Sequence, residues 1–125
     1  MGDVDPLGGL KEAIEGLTYP SESDEPFDVV RWVGVEGDDV GAVLRAKVGK
    51  GRTVREVPVD VFFGQLEEAD EVLRYRALRA TLESIAKGVR AFRVGEGEVR
   101  VDVYVLGMIP LDKSVVGVHS VSVET

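Results

Sequence analysis

No cysteine occurs anywhere in this chain, and that absence removes disulfide bridges, thiolate metal sites and thiol nucleophiles together. Histidine is reduced to one residue, His119, so a histidine-rich metal centre is excluded as well. Asparagine is missing and glutamine occurs once, at Gln65, while Glu, Arg and Val abound. Loss of heat-labile amides with gain of charge is the pattern of thermophile proteins. No apolar run approaches the roughly 18 residues of a membrane span. The acidic N-terminus has neither the basic nor the apolar region of a signal peptide. These absences lead us to expect a cytoplasmic protein with no membrane partner and no cofactor.

What is present is ample for a core. A chain of 125 residues with 44% hydrophobic content is the size of one domain, residues 1–125, that folds without metal or disulfide support. Its formal charge of −8 and pI near 4.7 repel phosphate backbones and attract basic surfaces, so direct nucleic-acid binding is not expected. The acidic balance serves solubility, and it also speeds association with a basic protein.

Periodicity lays out the elements. Asp5 as N-cap and Pro6 as first helical residue introduce Leu7, Leu10, Ile14 and Leu17 at helical spacing. Phe27 to Val33 alternates, with Phe27, Val29 and Val33 on one side and Val30 and Trp32 on the other, as in a strand covered on both faces. After a glycine- and acid-rich turn, Ala42–Val48 and Thr53–Val57 are expected as two strands joined at Gly49-Lys50-Gly51. That hairpin is locally basic, with Lys47, Lys50, Arg52 and Arg55, but its glycines lack the spacing of a phosphate loop. Pro58 should start a short helix, Val59–Leu66, with Val59, Phe62 and Phe63 inward. The longest helix is expected over about Glu67–Lys87, with Tyr75, Leu78, Leu82 and Ile85 inward, Arg79–Glu83 and Glu83–Lys87 pairs outside, and Gly88 as its stop. Strands Arg90–Val94, Glu98–Leu106 and Val115–Val123 complete an α+β domain with a central, mainly antiparallel sheet layered by helices.

Catalytic chemistry finds no foothold in these patterns. His119 lies near Ser120 and Ser122, but strand alternation sends His119 and Ser120 to opposite faces, and no nucleophile elbow is present. Asp38-Asp39, Glu67-Glu68 and Asp70-Glu71 lack the spacing of a calcium loop and are expected as helix-start and loop acids. We therefore expect no enzyme activity. The stretch Leu17–Trp32 is different in kind. Pro20 and Pro26 frame Ser21, Glu22, Ser23 and Asp24, restricting the backbone on either side of a short acidic loop. It is either an ordinary solvated turn or a loop presented for contact.

Three separated segments, taken together, resemble one family. They are GLTYPSESDEPFDVVRW (16–32), VPVDVFF (57–63) and GEGEVRVDVYVLG (95–107), the last followed by a strand ending in VET (123–125). The chain is similar in these respects to the nuclease A inhibitors, small acidic proteins that block a magnesium-dependent DNA/RNA non-specific endonuclease. The resemblance implies an α-β-α sandwich and an inhibitor with a protein partner. It implies that Ser21, Glu22, Ser23 and Asp24 contact the nuclease together with Glu124 and Thr125. Glu22 would pair with an arginine in the partner's site, and Thr125 would be a ligand to the partner's magnesium. Between Gly64 and Leu73 the chain departs from the family, being shortened there, and Asp70 and Glu71 match its third contact region only loosely. A diverged protein-binding module with a non-nuclease partner is the alternative the fold allows.

Overall fold

Alternating valines drive the centre of the molecule. In a computed structural model that describes residues 7–124, β5 (Lys87–Val94), β6 (Arg100–Ile109) and β7 (Ser114–Val123) form an antiparallel meander. Ala91 lies opposite Val105, and Val105 opposite Val118. Edge strands β3 (Asp28–Trp32) and β4 (Val54–Val57) add antiparallel to β7 and β5, giving the order β3-β7-β6-β5-β4. A separate ribbon pairs β1 (Thr18–Tyr19) with β2 (Glu25–Pro26).

Because side chains alternate across a strand, the sheet carries two cores. On one face Ala91, Val103, Val105, Val116 and Val118 meet helices α1 (Gly8–Ile14), α3 (Val59–Gly64) and α4 (Val72–Ile85), through Leu10, Phe62, Phe63, Tyr75, Leu78 and Leu82. On the other, Phe92, Leu106, Met108 and Val115 meet Val40, Val43 and Leu44 of α2 (Val40–Val48). The result is the α-β-α layering that the resemblance implied. β3 behaves as a strand covered on both faces, with Val29 packed on the first core and Val30 and Trp32 on the second. Among the described residues, no helix is long and apolar enough to cross a membrane.

Three expectations are corrected. The segment expected as the first strand of a hairpin is α2. The Asp39 carboxylate caps it by accepting from the Gly41 and Ala42 amides at 2.9 and 3.3 Å, and Gly49 with φ +80° ends it. Val40, Val43 and Leu44 form a helical stripe, which a strand would send to both sides. The longest helix starts at Val72, not Glu67, because residues 64–72 close successive three-residue turns, Glu67 N to Gly64 O, Ala69 N to Leu66 O and Val72 N to Ala69 O, while burying Leu66. Gly88 does not stop that helix. Ala86 is already extended, Lys87 belongs to β5 and so forms no helical pair with Glu83, and Gly88 with φ +62° sits in the register shift between Lys87 and Arg90. The expected Asp5-Pro6 helix start lies outside the described residues.

Candidate partner-binding surface

At one end of the sheet the Pro20–Pro26 loop and the end of β7 are sutured by backbone geometry. The Ser21 hydroxyl donates to the Ser23 carbonyl at 2.7 Å and accepts from the Val123 amide at 3.0 Å. The Glu22 amide donates to the Val123 carbonyl at 3.2 Å. Below the loop, the buried Ser120 hydroxyl reaches the Glu25 and Pro26 carbonyls at 3.1 and 2.9 Å. Ser120 thus satisfies backbone groups of the β1–β2 ribbon, which explains a polar residue on an inward face.

The acidic side chains at this end fall into two groups. Glu25 pairs with Arg100 at 2.7 Å, and Glu124 is held by Arg93 and by the Ser122 hydroxyl at 2.8 Å, with its amide on the Val99 carbonyl at 2.7 Å. The bond from Arg93 comes first among the causes that hold the Glu124 carboxyl below its ordinary pKa. Glu22 and Asp24, by contrast, are exposed and make no side-chain hydrogen bond or ion pair among the described residues. Ser23 is exposed and Ser21 half-buried.

The start of α4 approaches the same loop. The Tyr75 hydroxyl donates to the Thr18 carbonyl at 2.5 Å, and burial raises its pKa, with the charges of Glu71 and Asp24 adding to the effect. Tyr75 therefore feels both carboxylates. Arg74 anchors this corner on the Ala13 and Glu15 carbonyls at 3.1 and 2.6 Å and lies 4.0 Å from Glu71. Asp70 is exposed on the adjoining turn, with no bond joining it to the loop. Thr125, expected as a metal ligand in a complex, lies outside the described residues.

Sequence reasoning missed the supports of this surface. Arg93 projects from β5 on the face of Ala91, its side chain 14% exposed, and reaches Glu96 and Glu124. Tyr19, whose pKa burial raises, lies within the electrostatic reach of Arg93 and Glu124. An arginine in line with Val89 and Ala91 on the inward side of β5 was the available signal.

The α2 face of the sheet holds a second polar group. His119 Nε2 lies 2.7 Å from Asp102 Oδ1, Nδ1 lies 3.6 Å from Asp28, and Arg52 bonds Asp102 at 2.7 Å. Burial opposes ionisation of Asp102, yet the bonds from His119 and Arg52 win and lower its pKa. Ser120 points to the opposite face, as alternation required, and among the described residues no three His, Asp or Glu side chains are grouped to hold a metal.

The sequence pattern of the nuclease A inhibitor-like family matches residues 6–125, nearly the whole chain. The chain belongs to the nuclease A inhibitor-like family. No curated protein matches it. In this nuclease A inhibitor-like chain the match spans the loop, the turn at 64–73 and the segment leading to Thr125.

Proposed function

We propose that the protein is an inhibitor, and not an enzyme, that blocks the active site of a magnesium-dependent DNA/RNA non-specific endonuclease with its acidic loop and the Glu124–Thr125 segment. One observation supports the proposal beyond family membership: Ser21 and Glu22 bond Val123, so the loop that carries Glu22 and Asp24, two carboxylates without a side-chain partner among the described residues, lies beside the end of β7. A nuclease site is built to receive anionic phosphate next to a divalent cation. A carboxylate is an anionic, oxygen-rich substitute for that phosphate, suited to a charge-assisted bond with arginine. Glu22 takes this role because its side chain is not consumed internally. Thr125 supplies an oxygen toward the partner's metal, and Asp24, Asp70 and Glu71 add charge around the contact. The shortened 64–73 turn limits the third region to the rim.

The test is inhibition of such a nuclease by Glu22→Ala, with Asp38→Ala, an exposed acid in the loop between β3 and α2, as control. Truncating one member of a desolvated charge pair weakens binding by roughly 30-fold or more. We expect that loss for Glu22→Ala with unchanged thermal unfolding, and none for Asp38→Ala. Equal inhibition by both variants would remove Glu22 from the site.

A further inference from the structure

We infer that Arg93 is a positioning residue for the proposed inhibitory surface, the clamp that holds Glu124 in one place relative to Glu22. The inference rests on the function proposed above. Arg93 sits near the end of β5, opposite Val103, on the face covered by the β1–β2 ribbon and the three-helix layer. A guanidinium this well covered needs carboxylate partners. It has two: Glu96, from the turn between β5 and β6, and Glu124, just past the end of β7. Arg55 reaches Glu96 from the neighbouring strand at 3.5 Å. Without Arg93, the Glu124 carboxylate would lose its ion-pair partner and face Glu96 with Arg55 as the remaining nearby cation, which loosens its hold on the sheet.

Glu124 is fixed at both its backbone and its side chain. Its amide is on the Val99 carbonyl, and its carboxylate is on Arg93 and Ser122. Glu124 follows directly on Val123, whose carbonyl the Glu22 amide ties to the loop. Arg93 touches neither nuclease nor metal; it sets the span between two groups that do. A site with an arginine and a metal ion at fixed separation selects for a fixed span in the inhibitor, and a preordered segment binds with less loss of freedom.

The experiment compares Arg93→Gln, Glu124→Gln and the double variant in the full chain. Order at the Val123 and Glu124 amides is read by 15N heteronuclear NOE in the free protein, and the inhibition constant is measured on a magnesium-dependent non-specific nuclease. We expect each single variant to lose NOE at Glu124 and to inhibit about tenfold less well, chiefly through faster dissociation. The double variant should be no worse than the poorer single one, because both remove the same interaction. Unchanged order at Glu124 in Arg93→Gln, or additive losses in the double variant, would overturn the clamp. Should Arg93→Gln fail to fold, Glu124→Gln, which leaves Arg93 paired with Glu96, decides by the same two readouts. If the unmutated protein inhibits no such nuclease, the proposed function falls, and the NOE data alone decide whether Arg93 orders the segment.

Discussion

Glu22 and Glu124 are two glutamates a few bonds from the same Val123 backbone, and the fold uses them in opposite ways. Glu22 hands its amide to the strand and keeps its carboxylate in solvent, whereas Glu124 turns its carboxylate back onto Arg93 and Ser122. The difference has a titration signature. Because Arg93 depresses the Glu124 pKa, the stability this carboxylate contributes is complete above its unfolded value near 4.5 and is lost as pH falls through the lower folded value. In a carbon-detected NMR titration we expect the Glu124 carboxyl to reach its midpoint below 4.5, and Arg93→Gln to return it toward 4.5. A Glu124 midpoint that ignores the substitution would mean that the ion pair does not persist in solution. At this scale the sequence was informative where a motif stood out and silent where one residue did the supporting. The proline-framed loop drew attention to Glu22, while nothing local to Arg93 said that its partners lie in a turn and at the end of another strand.

Among the elements, α2 shows how a local pattern can mislead. Valines in Ala42–Val48 and a Gly-Lys-Gly sequence favour a hairpin, and β-branched residues do suit strands. The competing signals were present too: an aspartate at the N-cap, a glycine after the last turn, and Val40, Val43 and Leu44 on one helical face. The helix prevails because it alone lays that face over Phe92, Leu106 and Val115. Leu44 is fully buried there. We expect Leu44→Ala to cost about 2–5 kcal/mol in urea unfolding, the usual range for emptying a closed core position. A cost comparable to that of a surface truncation would contradict the α2 layer. The remaining elements were easier to read, since the Phe62-Phe63 pair behind Pro58, the Tyr75-Leu78-Leu82 rhythm and the alternating valines of β6 each have a single period. Their ends were not, because turns such as 64–72 are chosen by what they bury.

For the whole molecule, the formal charge of −8 is unevenly used. Among the described residues, nine of the ten arginines are in ion pairs with carboxylates, which leaves the excess negative charge on acids such as Glu22, Asp24, Glu68 and Asp70. Association with a basic nuclease surface should therefore slow as salt rises from about 0.05 to about 0.5 M, while dissociation changes little. Stopped-flow association rates check this, and a salt-independent on-rate would count against steering by this charge. The class of fold was legible from element order alone. The meeting of the loop with the end of β7 was not, because it depends on which strand β3 chooses as neighbour, and composition does not encode that choice.

That choice has a further consequence. β7 is the last element in the chain yet an interior strand, and within the five-stranded sheet it is the sole neighbour of β3. During synthesis β3 and the loop ahead of it leave the ribosome long before the strand that receives them. The β5–β6–β7 meander, made of local pairings, can assemble quickly, whereas β3 must wait to dock with a strand more than 80 residues further along, as Trp32 opposite Val115 shows. The proposed inhibitory surface is thus assembled only when β7 is in place, so a partly made chain has the acidic loop but not the seat that presents it.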